Sequence, residues 1–367
     1  MDEFYTLDPA TYERDLILDE FNSGIWTERY TTPGDFKLTL PATAARVKKL
    51  VYGTLFSIPE SRVVMVADTV QIRGGQITLS GKDFTTFLDQ RPAKPTHLTD
   101  KPGNMIGTVI SMMVLQSGQI FGEEIPRFRV GALTQAGNDV TEDISRGGAY
   151  SAVAQIAQKY DIGMRVLLED LVSGGVGLVF ETYVGVDRTS TQDARNLVRF
   201  SPDLETLADV RDVRSNAMEK NVVRAYPPDN FSETYPEPVE VTTIKNFGGS
   251  PGLQRRVLEI VCDDITEEML KGTTMEALLR TRAAKALGEN RRTRIVDGEL
   301  VPRPGYIFGK DFFLGDRVEI EGEYGSPVTG TITEYIRSKD DTGSRSYPTV
   351  ADAGSVPQST DGPVTAT

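Results

Sequence analysis

An aspartate and an arginine stand side by side in Gly185-Val186-Asp187-Arg188-Thr189, directly after the alternating run Leu178 to Val184. A carboxylate and a guanidinium so placed could act as a general acid and an electrostatic clamp. They could equally lock a corner, with Asp187 accepting backbone N–H groups and pairing with Arg188, while Gly185 takes an unusual backbone angle. The catalytic reading needs a partnering His, Cys or metal cluster, and none accompanies the pair. His97 is the single histidine, in a proline-rich connection, and no strand-to-helix Gly-x-Ser-x-Gly elbow or His-Glu-x-x-His helix accompanies it. Gly147-Gly148 and Gly174-Gly175 lack the Lys and Ser or Thr of a phosphate cradle. Asp263, Asp264, Glu267 and Glu268 lack the alternating liganding positions of a calcium loop and suit a helix N-terminus, where Asp264 or Thr266 could cap. The corner therefore reads as structural, and no catalytic residue, cofactor or metal is expected. A carboxylate-pair glycoside hydrolase stays open, because 53 acidic residues permit many pairs whose separation a sequence does not show.

Charge narrows the field further. With 40 basic against 53 acidic residues the net charge is -13, which argues against a surface built to grip a polyanion. Arg280, Arg282, Lys285, Arg291, Arg292 and Arg294 read as a solvated helix face and loop. Cys262, the single cysteine, excludes an intrachain disulfide and reads as a buried small hydrophobe. No apolar run approaches the roughly 18 residues of a membrane span, and Asp2 and Glu3 do not suit a signal peptide. A protein made soluble in a reducing cytoplasm is expected.

The elements that must position these residues are mostly strands, and the expected class is α+β, mainly β. Residues 1–95 carry strands at Gly24 to Tyr30, Phe36 to Leu40, Arg62 to Ile72 and Ile77 to Ser80, the last two joined by a Gly74-Gly75 hairpin turn. Thr43 caps a short helix to Leu50, and a second short helix covers Asp83 to Leu88. Residues 96–163 are mixed, with amphipathic helices over Asn104 to Leu115 and Arg146 to Tyr160. Residues 164–260 return to strands, 261–300 form a helical insertion, and 301–349 a closing β-barrel part of short strands with glycine turns. From 350 to 367 large apolar residues nearly vanish, so a flexible tail is expected, with Val350 contributing little core.

Four stretches, in order, resemble one family. Trp26, the Pro33-Gly34 turn and Phe36 resemble the opening signature of siphovirus minor tail proteins of the baseplate-hub or tail-hub family, found in phages of Gram-positive and actinobacterial hosts. Gly81, Asp83 and Arg91 resemble its strand, glycine and short helix ending in arginine. The Gly185 to Thr189 corner running on to Phe200, and Gly315-Asp316 near the end, resemble its later signatures. The resemblance implies a tail-hub fold of paired β-barrel-like domains with helical insertions, residues 1–95 and 164–260 being the pair. It also implies a homotrimer at the tail tip of the virion, made in the host cytoplasm. Its neighbours there would be the distal tail protein, the tape-measure protein and tail fibres or other tip proteins. DNA would pass through the channel without specific binding, and the chain would not insert in a membrane. The alternative is a host cell-wall carbohydrate-binding module, for which Tyr5, Tyr12 or Tyr226 would have to form exposed platforms.

Overall fold

A computed structural model describes residues 1–115, 125–172, 174–243, 255–301, 303–322, 324 and 327–352. Two compact units divide the chain: 1–210 with 297–350, and 211–296 with 351–367. The chain passes between them within Leu207–Ser215 and Thr293–Leu300.

In the first unit the alternation seen in sequence becomes a large, mostly antiparallel sheet. Its path runs Phe128–Val130, Val176–Tyr183, Gly163–Asp170, Ser61–Arg73, Gln76–Asp83, Asp35–Pro41, Ser23–Arg29, Pro327–Asp340 and Gly343–Asp352, then to the two boundary strands. Ser61–Arg73 and Gln76–Asp83 form the hairpin expected around Gly74-Gly75, with Arg73 opposite Gln76. The Thr43 hydroxyl accepts from the Arg46 N–H and starts the Ala44–Lys49 helix, as its position predicts.

Mainly β is the observed class, but the barrels expected from the resemblance are not closed. Among the described residues the path does not return on itself. Gly163–Asp170 meets Ser61–Arg73 at one register pair, Leu167 with Val63, so the sheet splays there. Closure would need continuous pairing with a fixed stagger all the way round.

Two cores pack against this sheet. One surrounds Trp26, Phe4, Phe36 and Phe56. The other lies under the Pro102–Ile110 and Ala149–Lys159 helices, whose Ile106, Val109, Val153 and Ile156 face Val166, Leu178 and Phe180. The methionines of this region, Met105 and Met113, are buried gap-fillers in that second core.

The second unit is smaller. Its three strands Val239–Thr242, Val222–Tyr226 and Val257–Val261 are covered by the Met275–Glu289 helix through Met275, Leu279, Ala283 and Leu287. The caps differ from those expected. Thr266 is the N-cap residue of the Glu267–Leu270 helix, one of the two candidates, but its side chain makes no cap bond, and Asp264 accepts from Arg282 Nε at 2.8 Å instead. The Arg282 guanidinium gives the Asp264 carboxylate two hydrogen bonds and an opposite full charge, where a cap N–H would give one bond.

At the end of the chain the strand continues further than composition suggests. Gly343–Asp352 carries Val350 and Ala351 at 1% exposure each, because cross-strand pairing buries even an isolated valine. The rest of the expected tail, 353–367, lies outside the described residues.

Candidate functional site

The Gly185 corner is built by two backbones in near contact. A Cβ on Gly185 would lie 1.9 Å from the Gly315 carbonyl carbon, so neither strand end tolerates a side chain there. Gly315 has a φ of +84°, which favours glycine independently of space. The approach brings Asp316 beneath the turn, where its carboxylate accepts from the Val186 N–H at 2.8 Å, the Phe313 N–H at 3.0 Å and Arg188 Nε at 2.5 Å. Its side chain is 3% exposed and that of Arg188 13%.

Arg188 thus pairs with a residue 128 positions away, and the expected Asp187–Arg188 pair is not formed. Asp187 makes an extended bridge to Arg317, and successive side chains on extended backbone point to opposite sides. The Asp187 carboxylate turns to the Thr189 N–H at 2.8 Å and the Thr189 hydroxyl at 2.7 Å, which hold it below the usual carboxylate range. That half of the expectation, an acid accepting a backbone N–H, is what the corner shows. Beyond it, Glu319 accepts from the Ser190 N–H at 2.8 Å and Arg199 Nε at 2.7 Å, and Phe200 meets Phe312 edge-on at 5.2 Å.

A second corner joins the first two signatures. The Gly34 N–H donates to Asp83 Oδ2 at 2.5 Å, and the Asp83 N–H returns a bond to the Gly34 carbonyl at 3.0 Å. Asp83 also caps the Phe84–Phe87 helix, accepting from the Thr85 N–H at 3.0 Å and from the Thr85 hydroxyl. Burial pushes this carboxyl up to about 6 against those hydrogen bonds. Pro33 contributes its carbonyl, which accepts from Arg29 at 2.9 Å. Gly81 stands where the hairpin register shifts, and a Cβ there would sit 1.8 Å from the Val66 carbonyl oxygen. Trp26 and Phe36 are buried behind the turn with ring centroids 6.2 Å apart. Arg91 ends the short helix, and its carbonyl accepts from the Ala149 N–H at 2.8 Å, tying the turn to the Ala149–Lys159 helix.

Sequence reasoning missed two residues that join these parts. Tyr30, 3% exposed, donates its hydroxyl to the Asp161 carbonyl at 2.7 Å while its ring lies against Gly315. Arg337 pairs with Glu28 at 2.6 Å with both side chains at or below 10% exposure, and sits over the Tyr335 ring at 4.7 Å. Arg337 lies within the strand Pro327–Asp340, whose period of two was the available signal.

The surface chemistry is largely self-paired. Arg280, Arg282, Arg292 and Arg294 pair with Glu276, Asp264, Glu219 and Asp212 respectively. Arg294 and Arg214 hold the Asp212 carboxyl far below its ordinary range. Tyr5 and Tyr12 are 7% and 2% exposed, which removes them as sugar platforms, and Tyr226 is half-buried with its hydroxyl on Glu259. Cys262 is buried and desolvation raises its thiol, the behaviour of an inert core cysteine.

Residues 4–350 match the family described as Siphovirus ReqiPepy6 Gp37-like protein. The chain belongs to this family. The matched range includes both corners and runs from before Trp26 to beyond Asp316. Solved structures agree. The 43 kDa tail protein of prophage MuSo2 from Shewanella oneidensis is similar with a TM-score of 0.58 at 15% identity, over 96% of this chain and 97% of its own. Prophage tail protein gp18 from Listeria monocytogenes EGD-e gives 0.52 at 13%, over 96% and 95%. A chain of the Phage P2 baseplate in its activated conformation with Ca gives 0.50 at 12%, over 97% and 100%. Comparison with curated proteins gives no match. At such identities the likeness is one of fold, shared along nearly the full length of each chain.

Proposed function

We propose that this tail protein is a baseplate hub at the distal tip of a long non-contractile tail, acting mechanically. Three copies form a ring that continues the tail tube, meets the distal tail protein above and the tape-measure protein within, and seats fibres or other tip proteins outside. DNA crosses the ring during ejection without being gripped. The observation that carries this reading is the family match across residues 4–350. The net charge of -13 and the paired arginines support the passage of DNA, since a polyanion finds few free cations. Closed symmetry supports the trimer, because it lets exposed strand edges find partners. Bond-making chemistry has no part in the role: Asp187 and Asp316 are committed to structural bonds. We further propose 1–95, 96–163, 164–260, 261–300, 301–349 and 350–367 as the successive parts of the subunit, several of them joined through the shared sheet. Averaged images of purified tails labelled on this chain are expected to show it as a threefold density at the distal tip. Density along the tube, at the head-proximal end or in a monomeric appendage would defeat the hub reading.

A further inference from the structure

The excess of acid in this chain is carried by the first unit. Residues 211–296 hold 14 Lys and Arg against 13 Asp and Glu; with Asp352 and Asp361 set aside, the first unit holds 26 against 38. In the second unit a group of cations gathers at one end, where Val222–Tyr226 and Val257–Val261 begin and Met275–Glu289 stops. The Lys220 N–H donates to the Asn290 carbonyl at 2.7 Å and the Asn221 N–H to the Arg256 carbonyl at 3.1 Å, which draws Lys220, Arg256, Arg291 and Arg292 together. Arg292 Nε lies 3.4 Å from Glu219, and the Arg256 guanidinium donates to the Asn216 carbonyl. Lys220, Arg256 and Arg291 make no ion pair with a described residue, so four cations meet one carboxylate. In the turn from Asn216 to Glu219, among these cations, stands Met218, 60% exposed.

The first unit has an edge of the opposite kind. Arg14–Leu18 pairs with Phe4–Leu7 on one side and, among the described residues, with no strand on the other. Ile17 is 55% exposed there, flanked by Glu13, Asp15, Asp19 and Glu20. Lys49 meets Asp15 at 3.0 Å, Arg46 reaches Glu20 only at 3.8 Å, and Arg14 is turned over the Tyr5 ring. Glu13 and Asp19 make no ion pair with a described residue.

We propose that the Met218 end of one copy seats on the Arg14–Leu18 edge of a second copy. Cations then face acids, Met218 and Ile17 supply an apolar centre, and the bare strand edge is covered. A DNA duplex would match the charges but leave Met218 without an apolar partner. The two surfaces differ and each copy carries both, so the contact is head to tail, the kind that closes into rings. The number of copies rests on the proposed hub; the match of the two surfaces does not.

Sedimentation velocity of the purified chain is expected to show self-association that grows with concentration and weakens as salt is raised. Arg291→Glu and Asp19→Lys are each expected to weaken it about tenfold or more, and the two together to recover part of the loss. Lys271→Glu makes the same change of net charge elsewhere on the second unit and is expected to leave it unchanged. Carbodiimide cross-linking of mixed unlabelled and isotope-labelled chains is expected to join Lys220 to a carboxylate among residues 13–20 in mixed-label pairs. A chain that stays monomeric at every concentration, charge reversals that associate as tightly as the parent, or mixed-label links from Lys220 only to other carboxylates overturn the contact. So does a short DNA duplex that binds more tightly than a second copy and is released by Arg291→Glu, which assigns this end to nucleic acid. A threefold tail tip whose copies meet through other surfaces defeats this contact and leaves the hub intact. Absence of the chain from tail tips, with the charge reversals behaving as expected, does the reverse.

Discussion

The two corners solve the same problem with different chemistry. Each brings together chain segments distant in sequence by aiming a buried aspartate at backbone N–H groups, Asp316 at Val186 and Phe313, Asp83 at Gly34 and Thr85. At Asp316 a guanidinium joins them; at Asp83 only a threonine hydroxyl does. An ion pair commits two residues, because losing either strands a charge in a dry site. A carboxyl held by dipoles alone can instead take up a proton, so the second corner answers to pH.

Arg188→Ala is expected to break this contrast most forcefully, destabilising the fold by about 3 to 5 kcal/mol as Asp316 is left buried and uncompensated. Urea unfolding measures it, and the Arg188→Ala, Asp316→Ala double variant should recover part of the loss because the stranded charge is gone. An additive double variant would mean that the pair is not a unit.

Next in size is Gly185→Ala. Its Cβ meets backbone on the Gly315 side at 1.9 Å, so relief requires moving a strand end, and about 3 kcal/mol is the expected cost. A thermal melt within a degree or so of the parent would show that the corner yields more easily than its geometry implies.

The Asp83 corner predicts a pH profile. Its carboxyl is raised from 3.8 to about 6 in the folded state, so the fold binds that proton more tightly than the unfolded chain does. The stabilisation is full below the unfolded value and is lost as pH rises through the folded one. Between those limits stability should fall by about 3 kcal/mol from this group. Asp83→Asn is expected to flatten that part of the profile when denaturation is measured across it. A variant whose slope there matches the parent would assign the slope to other carboxyls.

Asp187→Ala should have the smallest effect, about 1 kcal/mol, since its bonds to Thr189 close a half-exposed turn and carry no buried charge. Differential scanning calorimetry of this variant beside Arg188→Ala compares adjacent residues directly. Equal losses from the two would contradict the division of labour between them.

Much of the architecture is written in short-range pattern. The hairpin at Gly74-Gly75, the Thr43 cap and the helix started at Asp83 follow from residues within four positions of one another. Periodicity likewise marks the buried faces of the Pro102–Ile110 and Ala149–Lys159 helices. The second ends of long-range contacts are not written in this way. Arg188 had 53 acidic residues to choose among, and its neighbour Asp187 was the nearest in sequence and the wrong one. The same holds for Arg337 with Glu28, and for Tyr30 against Gly315.

By itself the sequence determined several local features, such as the Gly74-Gly75 hairpin and the Thr43 and Asp83 caps, because these depend on backbone angles and on side chains that reach only a turn away. It also marked Gly185, Asp187 and Arg188 as corner residues and Gly315-Asp316 as a turn, because these residue types favour tight turns. The tertiary structure decided which of them touch. Bringing residue 188 to residue 316 depends on the whole sheet lying between them, and a charge in that dry corner is stable only beside the one partner that the fold delivers.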